Sequence, residues 1–199
     1  NDISHVFGNG IKANLKKKLD KKIYSKYDTI VFVSNDNMRE FEKTYGNLNA
    51  KKEVIYNYID KDIILQKAQE NVDNVFDNDV INFVTVARFV PQKAIDRLIK
   101  VHAKLIKDNL SHKFYVIGDG PEREKLEKMI KENNVQNSFY LLGKKENPYP
   151  CIKQADYFCL LSYFEGYGMV LEEAKILGKN IIITDTAARE AVRGYEDSI

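Results

Sequence analysis

A chain of 199 residues, 44% apolar and 30% charged, has the composition of a soluble globular protein and is long enough for one domain, or for one plus part of another. A formal net charge of +2 argues against a chain that holds nucleic acid by electrostatics as a whole. Cys151 and Cys159 lack the paired spacing and the neighbouring histidines of a metal centre, no apolar run approaches the roughly eighteen residues of a bilayer span, and NDISHVFGNG has no signal-peptide architecture, so a reducing, cytoplasmic setting is expected.

Residues 12–26 place Leu15, Leu19 and Ile23 at a spacing of four, while Lys16, Lys17, Lys18, Lys21 and Lys22 crowd the remaining surface. This predicts a basic amphipathic helix, which either covers a core or lies on anionic lipid headgroups as a peripheral contact at the inner face of a membrane. TIVFVS reads as a buried strand, Asn35 to Tyr45 as a helix with Ser34 as its N-cap, EVIYNYID as a strand and exit, and Asp60 to Asn71 as a short helix. The polar connector VDNVFDNDV contains Asp77-Asn78-Asp79, a literal D-x-D. It is read as a turn, because Asp and Asn side chains bond local backbone groups.

From Ile81 the pattern is regular. Strands INFVTV, KFYVIG, SFYLLG, YFCLL and NIIIT alternate with helices that include Ala94 to Lys107 and Pro121 to Asn133. Apolar strands separated by amphipathic helices predict an α/β fold, a Rossmann-like parallel sheet with helices on both faces. His102 is expected to pack or sit at the surface, and His5 and His112 to be exposed. Cys159, in DYFCLL, is expected to be a buried thiol.

Arg88 and Lys93, Gly118-Asp119-Gly120, Gly143-Lys144 and Glu165 to Gly168 each follow the C-terminal end of a different strand, where open parallel sheets bind ligands. Two cations, glycine-bearing turns and a helix N-terminus there describe a pocket for a phosphorylated, hydroxyl-bearing ligand. A dinucleotide site is the weaker reading, because Arg123 stands where a third glycine would follow Gly118-x-Gly120. In SYFEGYGMVLEEAKILG a helix is predicted to start near Gly168, its N-terminus facing Glu165, Gly166, Tyr167 and Met169, and to end at Gly178. Helical phasing puts Val170, Ala174 and Leu177 on one stripe, Glu172 opposite and solvated, and Glu173 about 60° from the stripe's centre. Glu165 and Glu173 stand too far apart to chelate one metal and suit separate hydroxyls of an extended ligand; an ordinary amphipathic helix with a snorkelling Glu173 is the bland alternative.

E-G-Y-G-M-V-L-E-E-A, with Glu165 and Glu173 spaced as E-x₇-E, closely resembles the donor-site signature of retaining glycosyltransferases of family 4. Arg88 and Lys93 in VARFVPQK look like that family's R-x₄-K pair, IGDGPEREKLE like its second strand-turn-helix, and YLLGKKENPYPCIKQADYFCLLS like the approach to the E-x₇-E segment. The resemblance runs from roughly Ile30 onward. It implies the C-terminal half of a GT-B fold, with residues 59–199 as a nucleotide-sugar-binding domain truncated at its end. Residues 1–58 would be the tail of an incomplete N-terminal domain and its crossover. Tyr58 and Ala94 depart from glycines usual in the family.

The implied reaction moves a sugar from a nucleotide-diphosphate donor to a saccharide or lipid-linked acceptor, with retention at the anomeric carbon and no obligatory metal or other cofactor. In it Arg88 and Lys93 meet the diphosphate and Glu165 the donor-sugar hydroxyls. Glu173 would meet the ribose hydroxyls, backbone N–H groups of Gly166 to Met169 the oxygens, and the segment at Gly143 and Lys144 the base. The 199 residues alone are expected to bind donor weakly and transfer nothing. A nucleotide-binding module without transferase activity and a sugar-nucleotide epimerase of related architecture are the alternatives.

Overall fold

The computed structural model describes residues 11–71 and 76–195. It opens with helix α1 (Ile11–Tyr24), strand β1 (Thr29–Phe32), helix α2 (Asn35–Tyr45) and strand β2 (Lys51–Val54). β1 and β2 pair in parallel as a two-stranded sheet. Ser34 caps α2 as expected, its hydroxyl accepting from Asn37 N–H. Tyr24 of α1 meets Phe41 and Tyr45 of α2 edge-on at 5.0 and 5.1 Å, which pins α1 by its C-terminal end. Leu15, Leu19 and Ile23 stay 68, 59 and 43% exposed among the lysines.

Helix α3 (Lys61–Lys67) is shorter than expected; Asp60 caps it by accepting from Ile63 N–H. Then come β3 (Ile81–Val86), a 3₁₀ turn (Pro91–Lys93), α4 (Ile95–Lys107), β4 (His112–Ile117), α5 (Arg123–Glu132) and β5 (Phe139–Gly143). The chain continues through α6 (Tyr149–Gln154), β6 (Tyr157–Leu160), α7 (Met169–Ile176), β7 (Asn180–Ile183) and a second 3₁₀ turn (Ala187–Val192). The five later strands form one parallel sheet in the order β5-β4-β3-β6-β7. This is the expected α/β architecture. Along β4 the period of two sends Phe114 and Val116 to the core under α4 and α5, and Tyr115 and Ile117 to the core under α6, α7 and the last turn.

The N-terminal edge of this sheet corrects one expectation. His112 is 3% exposed and not solvated: His102 and His112 are buried together, Nδ1 of His102 lying 2.8 Å from Nε2 of His112. Nδ1 of His112 lies 2.8 Å from Leu110 O, and Nε2 of His102 lies 2.8 Å from Ser138 Oγ. The carbonyl can only accept, so Nδ1–H of His112 donates to it; with both rings neutral, Nε2 of His112 accepts from Nδ1–H of His102, which leaves Nε2 of His102 to accept from the Ser138 hydroxyl, whose other acceptor, Val135 O, is farther at 3.4 Å. Burial, with His112 beside it, pushes the pKa of His102 down to about 4. His5 and positions 72–75 of the polar connector lie outside the described residues.

Because the pKa of His102 is depressed on folding, the unfolded chain takes up the proton first, and stability present above about pH 6.5 is lost as pH falls toward 4. Between pH 7 and pH 5 this one group should cost about 2 kcal/mol. Urea unfolding at both pH values should show that loss in the wild type and a clearly smaller one in His102→Gln.

Candidate functional site

Strand order reverses between β3 and β6: the chain builds outward from β3 to β4 and β5, then crosses back to add β6 and β7 on the other side. The loops leaving β3 and β6 therefore stand next to each other at the C-terminal edge of the sheet, where neighbouring crossovers diverge and leave a crevice. They are stitched together. Tyr163 N–H donates to Gln92 O at 2.9 Å, Gln92 Nε2–H donates to Phe164 O at 3.0 Å, and the Arg97 guanidinium lies 4.3 Å from the centre of the Tyr163 ring. These contacts bring Lys93 Nζ within 2.5 Å of Glu165 Oε1, which also accepts from the Ser162 hydroxyl at 2.7 Å. The Glu165 side chain is only 7% exposed, so its charge is stabilised by these two partners in place of water.

A cavity of about 670 Å³ opens over this pair. Arg88, Lys93, Lys144 and Lys145 line it, against Glu165 and Asp119. Asp119 is already engaged: Arg123 Nε–H donates to it at 2.9 Å and Gly120 N–H at 2.7 Å, and the guanidinium holds its carboxyl below the usual range. Glu165 is likewise paired, so the basic side chains set the character of the cavity. Gly168, Met169 and Val170 supply the remaining wall as the N-terminus of α7, whose first N–H groups have no side-chain cap. Gly168 turns into that helix with φ 74° and ψ 62°, the left-handed region that glycine enters at no steric cost. The arrangement suits an elongated anion carrying hydroxyls.

Of the residues singled out from the sequence, Arg88, Lys93, Lys144, Glu165, Gly168 and Met169 are brought to this cavity. Gly143 stands at its margin, its carbonyl accepting from Gly118 N–H at 2.9 Å. Gly166 and Tyr167 face elsewhere: Gly166 O accepts from the Ser34 hydroxyl, and the Tyr167 ring packs on Tyr56 at 5.5 Å. Glu173 lies a turn into α7 and outside the cavity wall, half-buried, its carboxylate accepting from Tyr149 O–H at 3.5 Å. Burial raises its pKa, and the tyrosine offsets that only in part. Glu172 is not solvated as expected. It accepts from Tyr167 O–H at 2.7 Å and pairs with Lys175 at 3.0 Å.

Lys145 was missed, although it adjoins Lys144 in GKK, whereas Asp119 arrives with the Gly118-Asp119-Gly120 turn noted from the sequence. Asp77 behaves as the turn residue expected, accepting from Asp79 N–H at 3.1 Å while pairing with Lys113 at 2.7 Å. Both cysteines are buried, and burial pushes the Cys159 thiol up to about 12. Among the described residues no group of three or more His, Cys, Asp and Glu side chains could hold a metal ion, and no helix is long and apolar enough to cross a membrane.

With the geometry in hand, the chain was compared with known proteins. The family profile described as "Glycosyl transferases group 1" matches residues 66–196. An uncharacterised glycosyltransferase of Methanocaldococcus jannaschii is 29% identical over 175 residues, 85% of this chain and 43% of that protein. The N-acetylgalactosamine-N,N'-diacetylbacillosaminyl-diphospho-undecaprenol 4-alpha-N-acetylgalactosaminyltransferase of Campylobacter jejuni is 30% identical over 184 residues, 92% of this chain and 48% of its own. The chain thus spans less than half the length of these curated relatives. Among solved structures, HepE of Anabaena in complex with UDP and glucose superposes with a TM-score of 0.74 at 17% identity, covering 88% of this chain and 50% of HepE. TarM gives 0.70 at 21%, covering 90% and 34%. Both likenesses bear on the fold.

The two left-handed glycines of this segment separate backbone strain from packing. Gly178, φ 67°, has nothing within 4 Å of an added Cβ, whereas at Gly168 that Cβ would stand 3.2 Å from Leu171 Cδ1 and 3.4 Å from Ala188 Cβ. Gly178→Ala should cost about 1–2 kcal/mol, the left-handed penalty alone. Gly168→Ala should cost measurably more in the same urea titration.

Proposed function

The chain belongs to the glycosyl transferases group 1 family, and on that premise we propose that the cavity over Lys93 and Glu165 holds the nucleotide-diphosphate part of a sugar donor. The complete protein would then transfer the sugar to a saccharide or lipid-linked acceptor with retention at the anomeric carbon, as the likeness of its E-x₇-E segment to family 4 implies. The observation that carries the reading is the convergence of Arg88, Lys93 and Glu165 where strand order reverses. Fold likeness alone would not select a ligand.

In this reading Arg88 and Lys93 meet the negative charge that grows on the departing diphosphate, with no metal required. Arg88 offers a planar fork and Lys93 a point charge. Lys93 is fixed by Glu165 before any ligand arrives, so little reorganisation remains when charge develops. Glu165 retains acceptor capacity for a donor-sugar hydroxyl beside the ion pair. The first N–H groups of α7, which no side chain caps, suit phosphate or sugar oxygens, and Lys144 and Lys145 border the end where the base would lie. Glu173 is a half-buried carboxylate with a long hydrogen bond to Tyr149, a state that ribose hydroxyls would relieve. The exposed Leu15, Leu19 and Ile23 beside the lysines of α1 support a peripheral contact with anionic lipid, in keeping with a lipid-linked acceptor. The 199 residues without the rest of a relative's length are proposed to bind donor weakly and to be inactive in transfer.

The test is a thermal-shift titration with UDP, GDP, ADP and CMP, with and without magnesium, on the wild type, Arg88→Ala and Glu173→Gln. One diphosphate at about 100 times its dissociation constant should stabilise the wild type by about 2.7 kcal/mol, equally in both arms. Arg88→Ala should lose that shift. A raised carboxyl pKa means that ionised Glu173 destabilises the folded chain as pH rises through its titration. Glu173→Gln should therefore unfold at an equal or higher temperature than the wild type at pH 7, yet respond less to nucleotide. No response from the wild type to any of the four would overturn the donor-site reading.

A further inference from the structure

Glu190 lies in the 3₁₀ turn after β7 and is 8% exposed. Its carboxylate collects four hydrogen bonds from the N-terminal segment. Asn35 N–H (3.1 Å), Asn35 Nδ2–H (2.8 Å) and Tyr56 O–H (2.5 Å) donate to Oε1, and Asp36 N–H (2.9 Å) donates to Oε2. Two of those donors are the first backbone N–H groups of α2, so a carboxylate distant in sequence completes the cap that Ser34 begins.

The segment gripped by Glu190 touches the E-G-Y-G turn at three points. The Ser34 hydroxyl donates to Gly166 O at 3.2 Å. Asn37 stands so near Gly166 that a Cβ there would come within 3.0 Å of its Nδ2. The Tyr56 ring, whose hydroxyl is held by Glu190, packs on Tyr167, and Tyr167 in turn donates to Glu172 on α7. Gly166 is thus accounted for by the close approach of α2, and Tyr167 is a strut between the N-terminal segment and α7. The turn they belong to carries Glu165 on one side and Gly168 and Met169 on the other.

We infer that Glu190 is a positioning residue for this site: by fixing the first turn of α2 and Tyr56, it sets the E-G-Y-G turn and with it Glu165 and the N–H groups that open α7. Only the consequence for ligand binding rests on the donor-site reading above. Burial alone would raise the carboxyl pKa of Glu190, but the bonds from Tyr56, Asp36 N–H and Asn35 outweigh it and hold the group at about 2, so the carboxylate stays charged throughout the working range.

The test reads the turn directly. Hydrogen exchange of the amides in 163–170 is measured on the 199-residue chain, with the amides of β4 as internal control, for the wild type, Glu190→Ala, Glu190→Gln and Ser34→Ala; calorimetry then gives the affinity of each for UDP, GDP and ADP. Glu190→Ala should speed exchange in the turn by about tenfold or more with β4 unchanged, because four bonds to a charged acceptor are lost. The affinity for whichever diphosphate binds should fall by about tenfold as well. Glu190→Gln can keep the bonds to Oε1 but sets an amide N–H against Asp36 N–H, so it should fall between. Unchanged exchange in the turn, or a rise shared equally by β4, would overturn the inference; the second outcome would make Glu190 a support of the whole fold. Should Glu190→Ala not fold, Ser34→Ala and Glu190→Gln decide on the same comparison. A wild type that binds none of the nucleotides overturns the donor-site reading, while the exchange data still decide the role of Glu190.

Discussion

The ion pair between Lys93 and Glu165 depends on the reversal of strand order at β3. Had the chain added each strand to the same edge, the loops after β3 and β6 would be separated by two strands, and these two side chains, 72 positions apart, would not meet. The reversal makes them neighbours, and Gln92 and Arg97 then fasten one loop to the other. Much else follows. Arg88 comes to the same mouth because it leaves the same strand as Lys93, and α7 points its N-terminus there because the loop carrying Glu165 runs directly into it. The site is thus a property of topology first and of individual side chains second.

What could be read from the sequence is what depends on neighbours in the chain. The five strands of the later sheet, the N-cap Ser34, and the start of α7 at Gly168 are encoded by periodicity and by local bonding, and they appear within a few residues of expectation. Arg88, Lys93 and Glu165 were legible because each follows a strand, which places it at the binding edge whatever the packing. Glu190 was illegible: its four donors lie 134 to 155 positions away, and no local pattern marks a carboxylate in a short 3₁₀ turn. His112 failed for a similar reason, since a polar flanking sequence suggested water and the partner that admits it to the interior is on another element. Glu172 shows the limit of helical phasing, which gives the direction of a side chain on its helix but not that Tyr167 and Lys175 will cover it.

Two residues close in the chain to the cavity wall hold states that oppose folding. Ala94, directly after Lys93, has φ 51° and ψ 38°, the left-handed region that costs an L-residue with a Cβ about 1–2 kcal/mol. It is held there by its N–H bond to Pro91 O and by accepting from Arg97 and Leu98 N–H, and it is fully buried. A glycine would enter that conformation freely, but it would give up a buried methyl and widen the choices of the chain before folding. Alanine therefore stiffens the turn that carries Lys93. Glu173 is the electrostatic counterpart, a half-buried carboxylate held by a weak bond from Tyr149 O–H. Backbone strain at one and an under-satisfied charge at the other are where folding stability has been given up; Ala94 directly follows the cavity residue Lys93, and Glu173 lies about a turn beyond Val170 on α7. A ligand that supplied hydroxyls to Glu173 would relieve the second cost, whereas the first already serves to stiffen the turn that carries Lys93, so each bears in its own way on the ligand the geometry suits.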